Sequence, residues 1–142
     1  MLVRLIYASR SAKPINDDMI KSILDQSGRY NLDAGITGVL CVCRGDIFMQ
    51  ALEGGRDEVN QLYARLVRDA RHTDLTLLDY AEISERRFSN WRMGRVDLDK
   101  INLGIVLKYS EKPHLDPFQI SGRVALALLE ELMGTASIMG GS

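Results

Sequence analysis

Three features of the 142-residue sequence predict an α+β, ferredoxin-like βαββαββ fold. Strand-like and helix-like apolar patterns follow in the order strand, helix, hairpin, helix, strand, strand, the split βαβ arrangement in which two helices pack on one face of a mixed, mainly antiparallel sheet. The strands are apolar on both faces, so the second face needs a cover as well. The C-terminal "FQISGRVALALLEELMG" supplies one, with Val124, Leu128, Leu129, Leu132 and Met133 on a single helical stripe.

The first strand is "LVRLIYAS", with Val3, Leu5 and Tyr7 on one face and Leu2, Arg4, Ile6 and Ala8 on the other. "PINDDMIKSILDQSGRYN" reads as a helix entered near Asn16 or Asp17, with Met19, Ile20, Ile23 and Leu24 inward and Asn31 at its end. "GITGVLCVC" and "DIFMQALEG" are strands joined by "RGD", a hairpin-length turn. "RDEVNQLYARLVRDARH" is a second amphipathic helix that turns Val59, Leu62, Tyr63, Leu66 and Val67 inward. "LTLLDYAEI" returns as a strand, and "WRMGRVDL" forms a short last one that places Trp91 and Met93 on a shared face. "LKYSEKPHLDP" is a connector marked by its prolines. The expected division is a domain over 1–97 followed by a connector and capping helix over 98–142.

Lysine and arginine total 18 against 19 acids, a formal charge of -1 with no basic run, which argues against nucleic acid as a direct partner. The apolar N-terminal run is broken by Arg4 and is neither a signal peptide nor a membrane span, so a cytoplasmic protein is expected. Cys41 and Cys43 point to one strand face without nearby histidines, which favours buried free thiols over a metal site.

Gln50 lies between Phe48 and Leu52 on a face that otherwise reads as buried, and an unpaired carboxamide there costs roughly 1 to 3 kcal/mol. The topology puts its strand beside that of Tyr7, so the two side chains can meet under the helices. They can satisfy each other or a water, or they can hold a planar polar ligand. Asn31 has two readings, a left-handed helix end or a second carboxamide in the same slot. Ile23 and Leu66 fit a core, or the two sides of a flat ring. Arg65, Asp69, Arg71 and His72 gather at the end of the second helix, where cations are favourable by themselves. Trp91 and Met93 fit a core edge.

In this order and spacing, "LVRLIYASR", "YNLDAGITGVLCV", "FMQALEG", "LYARLVRDARH" and "RRFSNWRMG" resemble the BLUF family of flavin-binding blue-light sensors, over about Leu2 to Val96. The resemblance implies FAD held non-covalently between the two helices, with Tyr7 and Gln50 as the photoactive pair. It further implies Asn31 on the pyrimidine edge of the ring, Ile23 and Leu66 on its faces, and Arg65, Asp69, Arg71 and His72 near the ribityl and phosphate side. Trp91 and Met93 match the strand that relays the change. In the family, light drives electron and proton transfer from the tyrosine, the glutamine rearranges, and a small red shift remains.

The function so implied is a non-enzymatic photoreceptor with neither catalytic nor metal-ligating residues. No cyclase, phosphodiesterase or DNA-binding segment is seen after the domain, so a separate effector protein is the expected partner. The apolar stripe of the last helix can cover its own sheet or dock on a neighbour's, which makes a homo-oligomer the expected assembly without fixing its state. The competing reading is a ferredoxin-like small-molecule enzyme or metabolite-binding domain without flavin, because this architecture hosts many functions.

Overall fold

A computed structural model describes residues 1–135 and 137–139. The elements are β1 (Leu2–Ser11), α1 (Asp17–Ala34), β2 (Thr37–Cys43), β3 (Ile47–Gly55), α2 (Arg56–Arg68), β4 (His72–Ile83), β5 (Gly94–Asp97), a 3-10 turn (Leu98–Lys100), α3 (Leu103–Tyr109) and α4 (Gly122–Met133). The sheet order is β4-β1-β3-β2-β5. β1–β3, β1–β4 and β2–β3 are antiparallel, and β5 joins β2 in parallel.

Two cores lie on opposite faces, as the alternation of β1 and β3 requires. Val3, Leu5, Tyr7, Phe48 and Leu52 pack under α1 and α2 with Ile20 and Val59. Ile6, Ile47, Met49 and Ala51 face Leu128, Leu129 and Leu132 of α4, so the C-terminal helix covers its own sheet. Asn16 caps α1 by accepting from the Met19 amide, and Ser121 caps α4 through Val124. Gly122 is required by close approach, since a Cβ there would collide with the Leu78 carbonyl of β4. Cys41 and Cys43 are free and buried in the far-face core.

Five local expectations are corrected. Helix α2 ends at Arg68 rather than running on to His72, which opens β4, because Asp69 turns extended and its carboxylate takes the Arg71 amide. Helix α1 continues past Asn31 to Ala34, and Gly35 at φ 70° takes the left-handed cap, so Asn31 keeps helical geometry in the last turn. Val67 is 56% exposed, because the stripe from Val59 through Leu62, Tyr63 and Leu66 already fills the inward side of α2. Trp91 and Met93 precede β5 rather than sharing a strand face: Trp91 packs on the far-face core and Met93 in the near-face core. The connector begins later than expected, since "LKY" belongs to α3, where Val106 joins the far-face core.

Candidate functional site

A cavity of about 310 Å³ opens between α1 and α2 over the middle of the sheet. Its floor is set by strand register, with Tyr7 on β1 directly opposite Gln50 on β3. Both side chains therefore emerge from paired backbone, and their positions depend on the sheet rather than on a loop. The Tyr7 hydroxyl donates to Gln50 Oε1 at 2.6 Å, and Gln50 Nε2 donates to Met93 Sδ at 3.3 Å. Burial pushes the Tyr7 phenol well above its usual range, with the Asp69 carboxylate and Tyr63 adding to the effect. The phenol is thus a neutral donor at physiological pH.

Asn31 enters from the last turn of α1. Its Nδ2 donates to the Arg92 carbonyl at 2.9 Å, while Oδ1 is buried without a partner in the protein. A buried acceptor left unpaired costs about 1 to 3 kcal/mol, so this atom suits an N–H donor brought by a ligand. Ile23 and Leu66 line the cavity from α1 and α2 respectively and supply its apolar sides.

The outer end is charged. Arg71 binds Asp69 through several N–H···O contacts and also reaches Gln26 Oε1 at 3.3 Å. The side-chain hydrogen bond from Arg71 holds the Asp69 carboxyl below its usual range against the opposing effect of burial. The Arg65 guanidinium stacks 4.1 Å above the centre of the Tyr30 ring. His72 contacts the Leu66 carbonyl through Nε2 and Ser9 Oγ through Nδ1. A carbonyl can only accept, so Nε2 carries a proton, and in the neutral ring Nδ1 accepts from the serine hydroxyl. Both ring nitrogens are engaged within the protein, leaving the ring surface to line the cavity.

Ten of the expected residues, Tyr7, Ile23, Asn31, Gln50, Arg65, Leu66, Asp69, Arg71, His72 and Met93, thus converge on one cavity, and Trp91 does not. Sequence reasoning passed over Met19, Gln26, Ser27, Leu40, Phe48 and Leu62 in the same lining. The apolar members read as core, which they also are, and Gln26 and Ser27 carry no pattern on a polar helix face. Ser9 is fully buried and orients His72, but nothing in its local sequence marks it.

These residues fit a flavin on an observation independent of any likeness. The cavity combines apolar sides, an unpartnered buried acceptor at Asn31 and a basic outer end, the donor set for a flat heterocycle bearing an N–H edge and a phosphate tail. A second cavity of about 610 Å³ lies at the connector, lined by mixed charges such as Arg44, Glu111, Lys112 and Asp116.

Comparison with known proteins agrees with this geometry. The family model "BLUF: Sensors of blue-light using FAD" matches residues 2–94. Photoactivated adenylate cyclase subunit beta of Euglena gracilis is 37% identical over 93 residues, covering 65% of this chain and 11% of that protein. The blue light- and temperature-regulated antirepressor BluF of Escherichia coli K12 is 34% identical over 102 residues, covering 69% of this chain and 24% of the relative. Among solved structures, the photo-activated state of BlsA superposes with a TM-score of 0.82 at 29% identity, covering 96% of this chain and 98% of the other. The dark state of BlrB, a BLUF protein, gives 0.75 at 30% identity, covering 93% and 94%.

Proposed function

Because the chain belongs to the BLUF family of blue-light sensors that use FAD, we propose that Tyr7 and Gln50 are its photoactive pair and that the cavity between α1 and α2 holds the flavin. The observation that carries this reading is the unpartnered Asn31 Oδ1 beside the Tyr7–Gln50–Met93 chain of hydrogen bonds. Asn31 holds the N–H edge of the ring, Ile23 and Leu66 hold its faces, and Arg65 and Arg71 meet the ribityl and phosphate side. Asp69 fixes the direction of Arg71, and His72, tied down at both nitrogens, shapes the wall.

When bound, FAD supplies the blue-light absorption and the redox partner for the phenol. The protein's part is to hold a proton and an amide in switchable positions. The Tyr7 proton rests in a short bond to Gln50 Oε1. If the carboxamide turns over, its NH₂ faces Tyr7, the phenol oxygen becomes the acceptor, and Gln50 Oε1 points toward Met93 Sδ, a weak acceptor that cannot return a hydrogen bond. The turned arrangement therefore needs a new donor for Gln50 Oε1 and a new acceptor for the Tyr7 hydroxyl proton, and that change of partners is the stored signal. No substrate bond is made or broken.

The signal passes to a separate effector, and the candidate exit is the segment after Met93. Arg95 of β5 exchanges two backbone hydrogen bonds with Met139, so a shift in β5 reaches the C-terminal segment directly. A homo-oligomer belongs to the same reading, through a surface other than the apolar stripe of α4, which is buried on its own sheet. So does a cytoplasmic location, where Cys41 and Cys43 stay reduced; among the described residues no helix is long and apolar enough to cross a membrane.

Purified protein tests the reading: FAD in one-to-one ratio and a reversible red shift under blue light are expected. Tyr7→Phe and Gln50→Leu should each keep the flavin and lose the normal shift. A normal shift in either variant contradicts the assigned roles.

A further inference from the structure

We propose that Glu53 is a positioning residue for the responsive pair: from the far face of the sheet its carboxylate clamps the backbone of Arg87 and Phe88 and so sets where Met93 meets Gln50. The proposal rests on the reading that Gln50 is the switching group.

Glu53 has no solvent exposure. A buried carboxylate is tolerated only where its oxygens are hydrogen-bonded and its charge is paired, and both conditions are met here in an informative way. Oε1 accepts from the Arg87 amide at 2.9 Å and from the Phe88 amide at 2.7 Å, and Oε2 accepts from Arg87 at 3.1 Å and from Arg4 Nη1 at 3.3 Å. The backbone that it holds belongs to no strand or helix, since β4 ends at Ile83 and β5 begins at Gly94. An irregular segment crossing the end of a sheet has no ladder to fix it, so its course is set by such point contacts.

From the clamp, single links lead to the site. The Trp91 amide donates to the Phe88 carbonyl at 3.2 Å, the Gly38 amide to the Trp91 carbonyl at 2.9 Å, and Asn31 Nδ2 to the Arg92 carbonyl at 2.9 Å. The next residue is Met93, whose sulfur accepts from Gln50. The fully buried Phe88 ring seals the start of this path in the far-face core. Glu53 and Gln50 lie three residues apart on β3 and project to opposite faces. One strand therefore carries the switching amide and the clamp that places its partner.

Glutamine at position 53 keeps the shape but offers one acceptor oxygen where the carboxylate offers two, and turns an NH₂ toward backbone donors. The first test needs no variant: in wild-type protein the Arg87 and Phe88 amides should exchange with solvent about 100-fold more slowly than those of Ser89 and Asn90. Free exchange at both overturns the proposal. The second uses ¹³C-methyl methionine NMR on flavin-free protein, where Glu53→Gln or Glu53→Asp should move or broaden the Met93 resonance and leave Met19 unchanged. A variant that melts earlier with Met93 unmoved has lost only stability, and the proposal fails. In flavin-loaded protein, Glu53→Gln and Met93→Ala should alter the dark-recovery rate non-additively, the double variant staying within about twofold of the larger single effect; additive effects overturn the link. A wild-type protein that holds FAD but shows no red shift fails the Gln50 reading instead, while the exchange and methionine results still report on the clamp.

Discussion

The two faces of this sheet are built from the same strands and solve opposite problems. On the far face, Leu128, Leu129 and Leu132 of α4 meet Ile6, Met49 and Ala51, and all six side chains are fully buried. On the near face, α1 and α2 leave a cavity whose floor is polar, where Tyr7, Gln50 and Asn31 are buried yet one acceptor of Asn31 has no protein partner. Burial of apolar area contributes stability on one side, while the other side forgoes some of it to keep polar groups poised. A domain of this size can carry an under-packed functional face because the strands beneath it are secured from behind.

The largest expected effect breaks the stabilising face. Leu129→Ala should lower unfolding free energy by about 2 to 5 kcal/mol in urea melts, the usual cost of truncating a fully buried leucine. Protein that remains folded should still bind FAD, and loss of FAD with unchanged stability would contradict the separation of the two faces.

Filling the other face should sharpen the contrast. At free FAD of 100 times Kd, linkage stabilises the native state by about 2.7 kcal/mol, read as a rise in Tm on loading and its reversal on flavin removal. Asn31→Ala comes next. It deletes the bond to the Arg92 carbonyl and the unpartnered buried acceptor, and under the proposed placement of the ring FAD affinity should fall by about 1 to 3 kcal/mol, measured by fluorescence titration. The flavin-free protein should lose less, because its Oδ1 had no partner to give up.

The smallest effect concerns pH at the outer end of the cavity. The Asp69 carboxyl is held below its usual range by the Arg71 hydrogen bond. A group whose folded pKa is depressed contributes stability above its unfolded pKa and loses it as pH falls through the folded value. Asp69→Asn should therefore cost stability at pH 7, with the gap to wild type closing as pH drops below the ordinary aspartate range. The gap should be small, because Arg71 is exposed and solvent screens the pair.

The sequence by itself determined the order of elements, the two-faced sheet and the meeting of Tyr7 and Gln50 under the helices. These follow from patterns that are local in the chain: alternation in β1 and β3, the 3.6-residue stripe of α1 and α2, and a lone glutamine among apolar neighbours. The motif likeness then attached FAD to the slot under the helices. Tertiary structure decided what depends on the meeting of distant segments. Asn31 reads as a helix end because an Asn near the close of a helical pattern resembles a left-handed cap, and only the Arg92 carbonyl, 61 residues away, gives its amide another partner. Trp91 and Met93 share a parity in sequence, yet the segment leaves the strand before β5 and sends them to opposite faces, since the Glu53 clamp and the Gly38 and Asn31 contacts direct its backbone. Glu53 and Ser9 look like ordinary strand polar residues for the same reason: their partners at Phe88 and His72 lie 35 and 63 residues along the chain, and no local pattern encodes a hydrogen bond of that span.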